Sequence, residues 1–130
     1  MLSRLPEVER FLDSHPDVIF AYLFGSLSRG SKKPPGDVDI AVYLAHRGDF
    51  GEKKMELLGA LADILQTDDI DLIVLNTTGL PLAMNVLKNK RVLVDKEPFK
   101  RHAFESLTMR KYFDFSIKEA AQLRRRYLSG

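Results

Sequence analysis

The sequence predicts an α/β (α+β) fold in which a small mixed β-sheet is flanked by helices and followed by a long C-terminal helix. Short runs rich in β-branched and aromatic residues alternate with segments whose apolar residues recur at helical spacing. The length of 130 residues suits a single domain. We therefore predict a core over residues 1–97, with residues 98–130 forming a helix that packs on the core or on a partner and is not a separate domain.

The first two elements are predicted to be a helix and a strand. Leu5–Ser14 carries apolar residues at helical spacing, Pro6 is tolerated in the first turn, and Pro16 closes the helix. The run Val18–Phe24 (VIFAYLF) is too short for a typical buried helix and is predicted to be a strand that ends at Gly25.

The next five elements complete the order α-β-β-α-β-α-β. We predict a second strand over Val38–Leu44, a helix from about Phe50 to Gln66, a third strand over Ile70–Leu75, a short helix from Pro81 to Asn89 and a short edge strand over Arg91–Val94. The predicted apolar stripe of the longer helix consists of Met55, Leu58, Leu61, Ala62 and Leu65.

One long helix is predicted from Pro98 to about Leu128. Its length of roughly 45 Å exceeds what the small sheet needs as cover. Part of its apolar face therefore packs against another chain, or the helix folds back over the domain, and the pattern favours neither. The residues in question include Phe104, Met109, Tyr112 and Phe115.

Composition excludes several classes of protein and of metal site. The chain has no cysteine, so it has neither disulfides nor thiolate ligands, and its three histidines are too scattered for a zinc motif. Any metal must therefore be bound by oxygen. The N-terminal segment carries charges throughout and no segment approaches the ~20 apolar residues of a membrane span, so we predict a cytoplasmic protein.

Positive charge is concentrated near the C-terminus. The net charge is +2, yet residues 101–130 hold seven Lys/Arg against three Asp/Glu. Within this segment, Arg124–Arg126 could contact phosphate or an acidic partner. The simpler interpretation is a solvated helix end, where the helix dipole favours cations.

Two aspartates open the second strand. Because side chains alternate along a strand, Asp37 and Asp39 project from one face, while Val38, Ile40 and Val42 point into the core. Two adjacent negative charges are unfavourable unless a cation neutralises them, and Mg²⁺ prefers carboxylate and phosphate oxygens. This pattern indicates a divalent metal site, although an isolated Asp-x-Asp is more often a solvated strand start.

A glycine-serine pair precedes these aspartates. Gly25 allows close backbone approach, and the amide groups of a following helix start, together with the Ser26 hydroxyl, would bind phosphate oxygens. Alone, such a pair is usually an ordinary turn. Gly25-Ser26, ten intervening residues and then Asp37-x-Asp39 before an apolar strand form a much more specific combination.

This combination resembles the signature of the DNA polymerase β-like nucleotidyltransferase superfamily. More narrowly, the sequence resembles the minimal nucleotidyltransferases, the MNT antitoxins that are paired with HEPN-domain toxins. The matching segments are Gly25–Gly30 (GSLSRG), Gly36–Val42 (GDVDIAV), Asp71–Asn76 (DLIVLN) and Arg91–Val94 (RVLV). The resemblance covers most of residues 18–95 and implies the polymerase β-like nucleotidyltransferase fold.

The family's third carboxylate matches Asp71. Asp69 shares its strand parity and Asp68 is adjacent, so a shift of register could move the role to a neighbour. Asp71 is favoured because it directly opens the apolar run. The sequence departs from the family at Ser28, where Ala is usual, and at Gly36, where Ser is usual. Neither departure removes a carboxylate.

The resemblance implies a mechanism that depends on two Mg²⁺ ions. An acceptor hydroxyl attacks the α-phosphorus of a nucleoside triphosphate, and pyrophosphate leaves. Asp37 and Asp39 would hold the metals, whereas Asp71 would bind the metal nearer the acceptor and accept or orient the acceptor's proton. Gly25 and Ser26 would bind the β and γ phosphates.

Three cations lie in the predicted loop between these motifs. Arg29 is a candidate supplement to the phosphate site, although a surface arginine explains it equally well. Lys32 and Lys33 are better explained as solvated loop lysines.

For MNT antitoxins, the resemblance implies that ATP is the donor and that a tyrosine of the cognate HEPN ribonuclease toxin is the acceptor. The adenylylated toxin would be inactive. One alternative is a non-catalytic antitoxin that masks the toxin by direct binding. Another is that the complex binds operator DNA through Arg124–Arg126, so nucleic acid stays an open partner, while no membrane contact is predicted.

Overall fold

The computed structural model describes residues 4–25, 38–45 and 48–128. The elements are α1 (Leu5–Ser14), β1 (Val18–Phe24), β2 (Val38–Leu44), α2 (Phe50–Leu65), β3 (Ile70–Val74), α3 (Leu80–Lys88), β4 (Arg91–Asp95) and α4 (Pro98–Leu128). The predicted fold class is confirmed. Each predicted element is present, and the bounds differ by one residue at the ends of α2, β3, α3 and β4.

The four strands form one mixed sheet in the order β3-β2-β1-β4. β1 is antiparallel to β2 and β4, whereas β2 and β3 are parallel. The Asn76 side chain joins β2 to the residues after β3, because its Nδ2 donates to the Leu44 oxygen and its Oδ1 accepts from the Leu44 nitrogen, both at 2.9 Å. The asparagine of the DLIVLN segment therefore has a structural function at one end of the sheet.

Helices α1 and α2 cover one face of the sheet. The side chains of Val38, Ile40 and Val42 point into this layer, as the strand alternation predicts. The predicted stripe of α2 is wrong at Met55, which is 67% exposed. Leu57 is buried instead, since its spacing of four residues from Leu61 places it on the same side of the helix, and Met55 lies about 200° around the axis from it.

The opposite face is covered by α3 and the first half of α4. Phe20 and Tyr43 stack there with ring centroids 4.7 Å apart, and Phe104 of α4 packs 5.7 Å from Phe20. Phe104 therefore contacts the chain's own sheet. Of the two predicted alternatives for α4, folding back over the domain holds for this part of the helix.

Helix α4 leaves the core after Tyr112. Glu105 and Thr108 are buried, and Tyr112 is half-buried with Lys88 Nζ 5.4 Å from its ring centroid. Beyond this point Phe113 and Ile117 are exposed. Neither α4 nor any other helix in the described ranges has the length and apolar character needed to cross a membrane.

Candidate active site

The parallel register of β2 and β3 brings two aspartates together. Asp39 on β2 lies directly opposite Asp71 on β3. Backbones of neighbouring strands are about 4.8 Å apart, and side chains at paired positions share a face of the sheet. Both carboxylates therefore project on the side away from α1 and α2. Asp39 is half-buried and Asp71 is exposed, so the pair is open to a ligand from solvent.

Gly25, the residue after β1, lies against Asp39 of this pair. Phe24, the last residue of β1, pairs with Asp39, and Gly25 follows with a φ of +76°. This left-handed conformation is strained for residues with a side chain. A β-carbon on Gly25 would also overlap Oδ2 of Asp39. Glycine is therefore required here by conformation and by space, and it leaves room for the Asp39 carboxylate.

Three predicted site residues lie outside the described part of the chain. Ser26, Arg29 and Asp37 fall between residues 26 and 37, as do Lys32 and Lys33. Their contribution to phosphate or metal binding stays a prediction.

The register also bears on which aspartate is the third carboxylate. Asp69 precedes β3, and its main-chain oxygen accepts a hydrogen bond of 2.9 Å from the Val38 nitrogen. Asp71 lies within β3 and directly faces Asp39. The geometry favours Asp71, although its role in binding or catalysis stays a prediction.

A groove runs along the exposed edge of β3 next to Asp71. Its volume is about 280 Å³, and its lining includes Lys54, Thr77, Thr78 and Leu82 besides Asp71. Because β3 is an edge strand, no further strand covers this side of the described sheet. The groove gives an approach to Asp71 that does not pass through the turn at Gly25.

The oxygen donors suit a hard divalent cation. Asp39 and Asp71 supply carboxylate oxygens on adjacent strands, and Mg²⁺ commonly binds one or two carboxylates together with substrate phosphate. Within residues 4–25, 38–45 and 48–128, acidic and histidine side chains form no cluster of three. Asp37, the predicted third carboxylate of the set, lies outside these ranges.

A buried polar network on the same sheet face was missed by the sequence analysis. The Tyr22 hydroxyl donates to Glu105 Oε2 at 2.6 Å, and the same oxygen accepts from Lys90 Nζ at 2.5 Å and from Arg101 at 3.1 Å. Arg101 also pairs with Asp95 at 3.0 Å. The only sequence signals were a tyrosine inside an otherwise apolar strand and the Arg101/Glu105 spacing of one helical turn.

Burial and hydrogen bonding shift the pKa values of Tyr22 and Glu105 in this network. Burial raises the pKa of Tyr22 far above its ordinary value, and the hydrogen bond to Glu105 raises it further. Burial alone would raise the pKa of Glu105, but hydrogen bonds from Lys90 and Tyr22 outweigh it and lower that pKa. Glu105 is therefore a buried, ionised carboxylate that fixes α4 to β1 and to Lys90, the residue before β4.

A comparison with protein families found a match over most of the chain. The family model described as polymerase beta, nucleotidyltransferase matches residues 7–99. This range contains Gly25, Asp39 and Asp71. No sequence among the curated proteins matches the chain.

Similar solved structures come from toxin–antitoxin complexes. A toxin–antitoxin structure with AMP-PNP is 27% identical with a TM-score of 0.73, covering 93% of this chain and 94% of that one. A complex of tri-AMPylated Shewanella oneidensis HEPN toxin with MNT antitoxin is 26% identical with a TM-score of 0.69, covering 92% and 95%. The MntA–HepT toxin–antitoxin structure, 24% identical with a TM-score of 0.71 and coverages of 95% and 96%, shows the shared fold.

Proposed function

This chain belongs to the polymerase beta nucleotidyltransferase family, and from that premise we propose that it is a Mg²⁺-dependent antitoxin that transfers AMP from ATP to a tyrosine of a cognate HEPN ribonuclease toxin. The register that places Asp39 opposite Asp71, with the Gly25 turn against Asp39, carries this proposal. It combines an acidic pair with a turn of the kind that binds phosphate.

The similar structures support the choice of donor and acceptor. One relative of 27% identity was solved with AMP-PNP, an analogue of ATP. Another, of 26% identity, belongs to a complex whose HEPN toxin is tri-AMPylated. Because both comparisons cover more than nine-tenths of each chain, the similarity includes the nucleotidyltransferase core and the long C-terminal helix.

The proposed step is an in-line substitution at phosphorus. The tyrosine hydroxyl oxygen forms a bond to the α-phosphorus, the bond from that phosphorus to the bridging oxygen breaks, and pyrophosphate leaves. Asp71 accepts or orients the hydroxyl proton, and the groove beside it admits the acceptor segment. Gly25 and Ser26 bind the β and γ phosphates, with Arg29 as a supplement.

The proposed metal site consists of Asp37, Asp39 and Asp71. Two Mg²⁺ ions bound there would neutralise phosphate charge and make the acceptor hydroxyl easier to deprotonate. The protein's own contribution is to hold two carboxylates side by side on a rigid sheet before substrate arrives.

A mass measurement tests the proposal. The chain is incubated with ATP, Mg²⁺ and the purified HEPN-family protein encoded by the neighbouring gene, and the intact mass of that protein is measured. We expect the addition of one or more AMP groups on tyrosine. Absence of an adduct with every nucleoside triphosphate would refute the transferase function.

A single substitution separates catalysis from masking. Asp39→Asn keeps the size of the side chain and removes its charge, so the complex with the toxin should form while adduct and neutralisation are lost. Asp63→Asn, at an exposed position on α2, is the matched control and should retain activity. If Asp39→Asn still neutralises the toxin without an adduct, the chain acts by direct binding.

A further inference from the structure

The distal segment of α4, residues 113–128, projects beyond the domain. Of its side chains that the structure describes, through Arg126, all are exposed except the half-buried Ala121. Sixteen helical residues extend about 24 Å. The segment continues the packed first half of α4, but its own side chains make little contact with the domain. A partner that covers the segment would supply the missing packing.

Three exposed apolar side chains form one line on this part of the helix. Met109, Phe113 and Ile117 are spaced by four residues, and their exposed fractions are 46%, 65% and 52%. We call these three residues the outer seam. Spacing of this kind is the pattern by which one helix packs against another. The seam continues the four-residue row of the buried Glu105, and the side chains of this row become exposed where α4 extends past the core.

Positive charge on the distal part of α4 opposes pairing with a second copy. Residues 109–126 contain six Lys/Arg and two Asp/Glu. In a parallel pair, the Arg124–Arg126 clusters of two copies would meet each other. In an antiparallel pair, Arg124 would meet Arg110 of the other copy, because both residues lie beside the outer seam. Both arrangements place like charges together, whereas an acidic partner is complementary in either direction.

We infer that the outer seam docks an amphipathic helix of the toxin, one whose apolar stripe is flanked by acidic side chains. The inference rests on the proposed function, since the docked protein is the proposed acceptor. Exposed Phe113 and Ile117 favour a protein partner over DNA, because DNA interfaces are dominated by polar and cationic contacts. Docking through α4 holds the acceptor on the enzyme independently of the nucleotide site.

The test compares two variants of the full chain. The double variant Phe113→Ala with Ile117→Ala removes the centre of the outer seam and retains a strong helix former at each position. Gln122→Ala is the matched control, because Gln122 is exposed on the other side of the same helix. Circular dichroism checks that both variants keep their helix content, and titration calorimetry with the purified HEPN-family protein gives the Kd.

We expect the double variant to weaken the Kd about 10- to 100-fold, as for central apolar residues of an interface. Gln122→Ala should leave it unchanged, and added salt should weaken the wild-type complex. An unchanged Kd in the double variant overturns the inference. A wild-type homodimer that dissociates in the double variant also overturns it. So does a double variant that keeps its Kd for the HEPN-family protein but no longer binds duplex DNA.

The inference and the proposed function fail in different ways. Asp39→Asn should abolish the AMP adduct without changing the Kd for the toxin. The primary effect of the double variant should instead be a weaker Kd. A complex that depends on the outer seam but yields no adduct refutes the transfer and supports the docking surface. An AMP adduct formed with equal Kd by wild type and double variant supports the transfer and refutes the docking surface.

Discussion

Gly25 and Asp39 are in close contact in the candidate site. Because Gly25 has a φ of +76° and an added β-carbon would overlap Asp39 Oδ2, even a methyl side chain at this position should disturb the site. Any residue with a β-carbon must either change the turn or displace the carboxylate. Both outcomes alter the relation between the phosphate-binding turn and the acidic pair.

Gly25→Ala should therefore reduce the rate of AMP transfer by about 100-fold, the typical result of a displacement of about 1 Å in a catalytic group. The unfolding free energy should fall by only about 1–2 kcal/mol. Gly59→Ala on α2 is the matched control, since nothing lies within 4 Å of its added β-carbon. That control should gain about 0.5–1 kcal/mol in chemical denaturation and keep full activity.

Glu105 gives the buried network a defined dependence on pH. Its pKa in the folded chain is below the ordinary value of 4.5, so its stabilising contribution is complete above that pH and is lost as the pH falls through the folded value. Urea denaturation at a series of acidic pH values should show this loss.

Glu105→Gln should lower the unfolding free energy by about 2–4 kcal/mol at neutral pH, because a neutral amide replaces the buried carboxylate that Lys90 and Arg101 share. It should also flatten the acid dependence. Glu119→Gln, at an exposed position on the same helix, should change stability by no more than about 0.5 kcal/mol. Equal effects of the two substitutions would contradict the role of the network.

At the scale of elements, helix α2 depends on a defined N-terminal cap. The Asp49 side chain accepts hydrogen bonds from the Gly51 nitrogen at 2.7 Å and from the Glu52 nitrogen at 3.4 Å. Gln66 ends the helix in the left-handed conformation, with a φ of +56°. These two caps fix the ends of α2. The buried side chains from Leu57 onward then face the sheet and pack against β2 and β3.

Asp49→Ala should cost about 1 kcal/mol, the usual value of an N-cap, as measured by thermal denaturation. Asp49→Ser keeps a capping oxygen and should retain most of the stability. Loss of equal size in both variants would mean that the negative charge, rather than the cap, stabilises α2.

At the scale of the molecule, the candidate site exists only when β1, β2 and β3 are assembled. Gly25 follows β1, whereas Asp39 and Asp71 lie on β2 and β3, so binding of nucleotide and metal should be linked to folding. The site contributes little to the stability of the fold until a bound ligand connects the three strands.

With ATP and Mg²⁺ at about 100 times the Kd, the folded state should gain about 2.7 kcal/mol. The corresponding rise in Tm is roughly 10 °C, measured by differential scanning calorimetry. Removal of Mg²⁺ with EDTA should reverse the rise. Asp39→Asn should abolish it and Asp63→Asn should not; an equal rise in all three proteins would place the nucleotide elsewhere.

The sequence alone determined the identity and order of the elements. Strands such as VIFAYLF and helices such as Leu5–Ser14 are specified by alternation and spacing over a few residues, which are local properties. The same local order predicts that Asp37 and Asp39 share one strand face. The motif spacing predicts the family, which the family model confirms over residues 7–99.

Only the tertiary structure decided which distant residues meet. The register that sets Asp39 opposite Asp71 depends on how two strands slide past each other, and that is settled by packing of whole faces. Tyr22 and Glu105 are 83 residues apart, so no local pattern could pair them. Likewise, the point where α4 leaves the core depends on the extent of the sheet and of α3, because helical spacing continues unchanged past Tyr112.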